Sequence, residues 1–308
     1  LIAMLLRHLR YLLAVVEHQN FTRAAEALHV SQPTLSQQIK QLEDALGAPL
    51  LDRSGRTVRP TDVGAAYIRF ANQALRELEA GRRAIHDVLD LSRGLLRLAF
   101  TPTFSSYLVG PLVEHFSARY PGIVLSIRET TQDRMEAELA DDSIDVGIAF
   151  ADVRLPEIDC HVLFEERLSM VVGQAHPYAR SEGLTLAAIE HTPLALLTRD
   201  FATRGHIDAY FQAHGVAPSV MIEANSINAV VEIVRRGRVA TILPDAIASE
   251  RTELRAIGLE PALPRRTVAL LTRKGAYRSA ASDAFSKLAR SLVADWGKVG
   301  FIGPQDCA

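Results

Sequence analysis

The sequence predicts an all-α N-terminal part followed by a larger α/β domain, and three observations support this. Apolar residues recur at helical spacing through the first 47 residues. Eight short runs rich in Val, Ile and Leu punctuate residues 94–273. Helical patterns separate most of those runs, an order that builds mainly parallel sheets covered by helices.

Leu9, Leu12, Leu13 and Val16 give the first helix one apolar face. "NFT" breaks it, and Thr22 is placed to cap a short second helix carrying Ala24, Ala25 and Leu28. Its small alanines allow another helix to approach closely. "HVS" makes a tight turn, after which Ser31 caps a third helix with Pro33 in its first turn, where a missing N–H costs little. Leu35, Ile39, Leu42 and Leu46 form one stripe of that helix, and Gly47 closes it. Pro33, Ser36, Gln37 and Lys40 share the opposite, polar side.

Two short helices joined by a tight turn, the second with a polar outer face, form a helix-turn-helix. Ser36, Gln37 and Lys40 would then enter a DNA major groove, with Gln32, Pro33 and Thr34 near the base edges at the helix N-terminus. Gln pairs bidentately with adenine, and Pro or a Thr methyl packs on a thymine methyl. Lys40 suits a phosphate. In "PLLDRSGRTVRPTDVG", Leu50–Leu51 and Thr57–Val58 are expected to pair around Ser54–Gly55 as a wing. Arg53, Arg56 and Arg59 lie on or beside it, ready for phosphates or a minor groove. The pattern alone also fits a solvated amphipathic helix followed by an ordinary hairpin.

Residues 62–90 read as one long helix. Tyr67, Ala71, Ala74, Leu78, Gly81, Ile85 and Val88 recur at alternating spacings of three and four, a seam that suits a second helix. Packing onto its own chain would use the same seam.

In the C-terminal part, strands are expected at 94–100, 123–129, 145–150, 168–173, 194–198, 219–224, 239–243 and 266–273, and helices at 106–119, 132–140, 185–191, 203–214, 226–237 and 279–296. Open α/β sheets bind ligands at their C-terminal strand ends. Those ends here are small and polar: "TPTFSS" at 101–106, "TTQD" at 130–133, and Asn225–Ser226. Helix N-termini there offer free N–H groups to an anion, and Thr101, Thr103, Ser105, Ser106, Thr130 and Thr131 add hydroxyls. Helix capping alone would select the same residue types.

Composition narrows the classes. A chain of 308 residues, 48% hydrophobic, has enough apolar material for more than one core. The net charge of −2 and pI near 6.6 give no bulk sign of nucleic acid, so DNA binding must rest on local features. Cys160 and Cys307 are far apart in sequence, which fits a reducing compartment and no disulfide framework. The apolar start is broken by Arg7, His8 and Arg10, lacks the order of a signal peptide, and contains Met4, which reads as the natural start. No apolar run approaches a membrane span. No phosphate-binding loop, dinucleotide fingerprint, nucleophile elbow or metal-binding histidine pair occurs, which argues against an α/β enzyme with a fused helical domain.

The stretch "FTRAAEALHVSQPTLSQQIKQLEDALGAPLLDRSGRTVRPTDVG" closely resembles the N-terminal domain of LysR-type transcriptional regulators. The specific parts are "L-E-x-x-L-G-x-x-L" and "R-x-x-R-x-V-R-x-T-x-x-G". "DVGIAF", "LSMVVGQAHPYA" and "ILPDAIA" extend the resemblance into the C-terminal half. It implies a winged helix-turn-helix over 1–61, a dimerisation helix over 62–92, and a two-lobed effector domain over 93–308 that is similar to periplasmic binding proteins. Lobe I would hold about 93–162 and 267–308, and lobe II about 163–266. DNA contacts would fall to Ser31, Gln32, Pro33, Thr34, Ser36, Gln37, Lys40, Arg53 and Arg56. The effector would meet Thr101, Thr103, Ser106, Thr131, Phe150, Thr198, Asn225 and Ser226. The implied partners are double-stranded DNA, an anionic small molecule, further copies of the chain as a homodimer or homotetramer, and RNA polymerase. The implied location is the cytoplasm, with no metal or other cofactor. Within the family, "AIHDVLDLSRG", "TPTFSSYLVGPL", "FATRGHID" and "IEANSINAVVEI" look most like regulators of cyanate-degradation operons. That implies cyanate or another small anion, with a larger carboxylate as the alternative.

Overall fold

The computed structural model describes residues 2–55, 57–87 and 93–296. The chain divides into two compact units, Leu1–His86 and Asp87–Ala308.

The first unit runs α1 (Ile2–His18), α2 (Phe21–Ala27), α3 (Gln32–Leu46), β1 (Leu51–Asp52), β2 (Arg59–Pro60) and α4 (Asp62–Asp87). Leu12, Val15, Ala24, Ala25, Leu35, Ile39 and Leu42 pack with Leu50 and Leu51 into one core. Leu9, Leu12 and Val15 form the innermost face of α1, while Leu13 and Val16 lie half-buried at its margin. Asn20 caps α2, not Thr22: its Oδ1 accepts from Thr22 N at 2.8 Å and Arg23 N at 3.1 Å. The helix therefore begins one residue before the expected cap. Ser31 Oγ accepts from Thr34 N at 3.2 Å, and Gly47 ends α3 at a φ of 70°, where a side chain would be strained.

The wing pairs Leu51 with Pro60 and Asp52 with Arg59, two residues further along its second arm than the expected Thr57–Val58. Five hydrogen bonds set this register. Leu50 N and Leu51 N both donate to Glu43 Oε1, at 2.8 and 3.1 Å, which ties the first arm to α3. Asp52 Oδ1 takes the Ser54 N–H and hydroxyl and opens the turn. Val58 N donates to Gln19 O at 3.0 Å and so leaves the ladder.

Thr61 starts α4. Its hydroxyl donates to Pro49 O at 2.8 Å and accepts from Gly64 N at 2.9 Å. Ala71, expected in the seam, is buried in the unit's own core, whereas Val63, Phe70 and Leu78 are 56%, 68% and 53% exposed. At about 100° per residue these three lie with Tyr67, Ala74 and Gly81 on one stripe. The open apolar face is thus centred on Phe70 rather than Ala71. Val88 lies outside the described residues.

The second unit contains β3 (Gly94–Phe100), α5 (Val109–Arg119), β4 (Ile123–Glu129), α6 (Gln132–Ala140), β5 (Val146–Phe150), β6 (Ile158–Glu166), β7 (Leu168–Gly173), β8 (Gly183–Thr185), α7 (Leu186–Glu190) and β9 (Leu194–Leu197). It continues through α8 (Ala202–Ala213), β10 (Val220–Ala224), α9 (Ile227–Arg236), β11 (Thr241–Pro244), α10 (Asp245–Ser249), β12 (Leu254–Glu260), β13 (Arg266–Arg273) and α11 (Ala280–Trp296). A 3-10 turn, Pro102–Ser106, follows β3.

The first lobe is a five-stranded sheet ordered β4-β3-β5-β13-β6. Leu96, Leu98 and Phe100 of β3 face one core with Phe116 and Phe285, and Ala99 faces the other with Met135 and Leu139. The second lobe has the order β11-β7-β12-β8, with β9 and β10 attached by the Ala195 N–Ala240 O hydrogen bond. Among the described residues, β4, β3 and β5 in the first lobe, β8 with β12, β9 with β10, and the single bridge Leu194–Ala240 run parallel. The sheets are therefore mixed rather than mainly parallel. The antiparallel members are the strands that cross between lobes, β6 and β13, and the β7, β11 and β12 set. Strands β6, β8 and β12 were not expected. In β6, "IDCHVLFEE", Cys160 and Val162 are exposed between half-buried Asp159 and His161, which interrupts the apolar run, as suits an edge strand. Among the described residues no helix is long and apolar enough to cross a membrane.

Candidate functional site

On the first unit, Gln32, Pro33, Thr34, Gln37 and Lys40 are exposed on α3, with Ser36 half-exposed beside them. Burial of Leu35, Ile39 and Leu42 on the opposite side forces this face outward. The Ser31 hydroxyl is committed to capping and lies 2.7 Å from Thr34 Oγ1, so these two present one joined donor–acceptor pair. Arg53 is held back toward the core of the unit. Its Nη2 lies 2.8 Å from Glu43 Oε2, and its guanidinium carbon sits 4.9 Å from the Phe21 ring centroid. Arg56 lies outside the described residues.

On the second unit, a cavity of about 680 Å3 opens where the strands end. Parallel strands β3, β4 and β5 deliver Thr101–Thr103, Thr131–Asp133 and Phe150 to it. The second lobe contributes Arg199, Phe201, Ala202, Gly205 and His206, and β13 contributes Arg265–Thr267. Of the residues expected from sequence, Thr101, Thr103, Thr131 and Phe150 line it. Ser106, Thr198, Asn225 and Ser226 do not. Ser226 instead caps α9 through Ala229 N at 3.3 Å, Asn225 is exposed beside it, and Thr198 holds β10 and the start of α8 through its backbone. Ser106 is the last residue of the 3-10 turn.

The cavity carries charge of both signs, and its arginines are paired: Arg154 with Asp133, Arg199 with Asp208, Arg265 with Glu165 and Arg266 with Glu166. Arg154, Arg199, Arg265, Arg266 and His206 face Asp133, Asp152 and Asp200. The twelve-residue α8 starts at its edge with no side-chain cap at Phe201, leaving first-turn N–H groups for an acceptor. Thr101 Oγ1 is buried there without a partner among the described residues. Thr103 and Thr203 join their hydroxyls across the lobes at 3.2 Å. Burial, then the negative charge of Glu166, push the Tyr107 phenol well above its ordinary pKa, so it donates to Glu166 Oε1 at 2.6 Å. Arg204, almost fully buried, ties α8 to β9 through Leu197 O at 2.8 Å and to β10 through Glu223, and pairs within its own helix with Asp208 at 2.7 Å.

Sequence reasoning missed Arg266, Glu166 and Thr203. The first two sit at the ends of β13 and β6, and β6 was not read as a strand. Thr203 lay inside "FATRGHID", quoted for its resemblance but not for its position. Among the described residues no cluster of His, Cys, Asp and Glu could hold a metal ion.

A helix-turn-helix with an exposed polar recognition face, on a chain whose larger unit is a two-lobed binding domain, defines a ligand-responsive DNA-binding regulator. The family description "Bacterial regulatory helix-turn-helix protein, lysR family" matches residues 6–65, and "LysR substrate binding domain" matches residues 90–294. The chain belongs to the LysR family of transcriptional regulators, not to a family of enzymes. The RuBisCO operon transcriptional regulator of Allochromatium vinosum is 30% identical over 94% of this chain and 96% of its own length. A hydrogen peroxide-inducible genes activator of Pectobacterium carotovorum subsp. carotovorum is 30% identical over 88% of this chain and 90% of its own. A full-length OxyR variant from Pseudomonas aeruginosa shares the fold at a TM-score of 0.70 and 24% identity, covering 92% of this chain and 94% of that one. Full-length CbnR, solved with its target DNA, does so at 0.63 and 23%, covering 93% and 99%.

Proposed function

We propose that this regulator reads a two-fold DNA site with paired α3 helices and responds to an organic carboxylate held between the lobes of its second unit. The domains are 1–61 for DNA, 62–92 for self-association and 93–308 for the effector. The open stripe of Val63, Phe70 and Leu78 on α4 is the surface for a second copy, and pairs of dimers make a homotetramer. The protein acts in the cytoplasm, where its DNA is, and signals to RNA polymerase.

The observation that favours a carboxylate is the cavity itself. At about 680 Å3, lined by Phe150 and Phe201 beside threonines and arginines, it suits a molecule with an apolar body and an anionic head. A second reading rests on sequence: segments such as "TPTFSSYLVGPL" favour cyanate, a triatomic anion that would use only the floor near Thr101 and Thr103. Thermal shift against cyanate and carboxylates of graded size separates the two. A ligand at 100 times its Kd stabilises by about 2.7 kcal/mol. Response to cyanate alone would overturn the carboxylate reading, and silence to every anion would overturn both.

Thr103→Val removes the hydroxyl that spans the lobes while keeping its volume. It is expected to abolish the effector's influence on DNA affinity and leave ligand-free DNA binding unchanged, as read by footprinting with and without the ligand. An unaltered response would remove Thr103 from the site.

Base-reading and phosphate-binding residues are expected to behave differently. Gln32→Ala should cost about 1–3 kcal/mol at the cognate operator and little elsewhere. Lys40→Ala should weaken all sequences alike and lower the salt slope by about one. Titrations at several salt concentrations on specific and random duplexes check this. Parallel losses from both changes would sink the division of roles.

A further inference from the structure

Arg7 interrupts the apolar start of the chain. Its neighbours His8 and Leu9 are buried, while Arg7 itself is exposed. Its Nη2 donates to Gln38 Oε1 on α3 at 2.9 Å, and among the described residues it has no carboxylate partner. Arg53, by contrast, is paired with Glu43 at 2.8 Å. Gln38 Nε2 in turn donates to Gln41 Oε1 at 2.9 Å. Chemistry fixes the direction of this chain. A guanidinium only donates, so Gln38 must turn its oxygen to Arg7 and its amide nitrogen to Gln41. Gln41 is exposed, its oxygen is occupied, and its own NH2 has no partner among the described residues.

Successive side chains turn by about 100° round a helix. Measured from the direction opposite the buried stripe Leu35–Ile39–Leu42, Lys40 lies about 50° to one side of α3 and Gln41 about 50° to the other. Gln38 stands about 110° round, next to Gln41 and at the margin of the core. A helix about 10–12 Å across fills a major groove about 12 Å wide, so a wall of phosphates runs along each flank. Lys40 is the only cation in the α3 sequence, and it serves one flank. Arg7, reaching over from α1, supplies a cation to the other.

We propose that Arg7 is a DNA-contacting residue: its guanidinium and the Gln41 amide, aligned by Gln38, hold a backbone phosphate on the wall opposite the one met by Lys40. This rests on α3 lying in the major groove. Arginine suits the task because its planar fork bonds Gln38 through one nitrogen and keeps other N–H groups for phosphate oxygens. Gln38 is a positioning residue, which holds the guanidinium at the flank and leaves Gln41 with donors to offer. Phosphate contacts carry no sequence information themselves but fix how a helix sits in the groove. With a cation on each flank, the roll of α3 is set, and with it which of Gln32, Ser36 and Gln37 reach base edges.

The test titrates the full chain with a random-sequence DNA duplex at several salt concentrations and reads the slope of log affinity against log salt. Arg7→Gln keeps a donor for Gln38 and loses the charge. It is expected to lower the slope by about 0.9 for each protomer on the duplex, so that a tenfold rise in salt weakens the variant roughly eightfold less per protomer. Arg7→Lys should keep the slope, which a purely structural link to Gln38 would not require. Should Arg7→Gln not fold, Arg7→Met takes its place with the same expected slope. Gln38→Leu keeps the charge but releases the guanidinium, and should keep the slope while weakening binding severalfold. Arg134→Gln removes an equal charge from an exposed site on the second unit and should change nothing. An unaltered slope in Arg7→Gln, with Lys40→Ala lowering it, overturns the proposal and leaves α3 in the groove. Unaltered slopes in both overturn that placement as well. An equal loss in Arg134→Gln overturns the contact in favour of bulk charge, and full affinity in Gln38→Leu overturns the alignment by Gln38.

Discussion

Arg266→Met is expected to destabilise the second unit by about 3–5 kcal/mol, the cost of leaving a buried carboxylate without its cation. Glu166 is 1% exposed and would keep only the Tyr107 hydroxyl as a donor. Solvent cannot reach it to compensate, so the loss is larger than for the surface pairs of this protein. Arg134–Glu138 and Arg236–Glu232 have well-exposed arginines and are worth little by comparison. For a domain of this size the loss lowers the midpoint of thermal unfolding by roughly 10 °C. Scanning calorimetry reads it directly. Pairing Arg266→Met with Glu166→Leu should recover most of the stability, because the desolvation cost disappears with both charges. Recovery of stability without recovery of effector response would show that the pair serves recognition more than folding. A loss below about 1 kcal/mol for Arg266→Met would mean that the carboxylate finds another partner.

The parts of the fold legible in the sequence are those in which local chemistry and tertiary packing agree. The cap at Ser31, the stripe Leu35–Ile39–Leu42 and the stop at Gly47 each reflect a requirement of α3 alone and stand in the structure, whereas Leu46, expected to continue the stripe, is 43% exposed at the helix end. The buried strands β3, β5 and β7 read as apolar runs because both their faces are covered. Edge and crossing strands did not. β6 spends alternate residues on solvent, and its partner β13 arrives from more than 100 positions away in the chain. Wing register was illegible for a similar reason: it depends on Glu43 and Gln19, which belong to neighbouring elements. The cavity divides the same way. Thr101, Thr103, Thr131 and Phe150 follow parallel strands, and chain order alone points to such positions. Arg266 and Glu166 meet through antiparallel pairing between distant segments, for which a single sequence holds no local sign. Asn225 and Ser226 show the converse error, since a helix cap and a ligand site ask for the same residue types.

Gly64→Ala is expected to cost the first unit about 3 kcal/mol or more and to abolish DNA binding, while the second unit melts unchanged. Gly64 closes the "R-x-T-x-x-G" run, and its place explains why a glycine stands there. Thr61 binds Pro49 O on one side and Gly64 N on the other, drawing the first turn of α4 onto the strand that begins the wing. A Cβ at Gly64 would lie 1.9 Å from Leu50 O and 2.8 Å from the Leu50 carbonyl carbon. Both are backbone atoms, so no rotamer change relieves the contact. The strand must move, and with it Leu50 and Leu51, which complete the core under α3. Their amides would also leave Glu43, the anchor of Arg53 and hence of the wing. The glycine in α5 supplies the control. A Cβ at Gly110 meets nothing within 4 Å, so Gly110→Ala should be neutral or slightly stabilising, as helix propensity predicts. Calorimetry of the full chain separates the outcomes, because the two units contribute distinct transitions if they unfold independently. Loss of DNA binding with the carboxylate-dependent stabilisation of the second transition intact would locate the damage at the α4–wing contact. An unchanged first transition would mean that the strand can yield, and that the glycine answers some other demand.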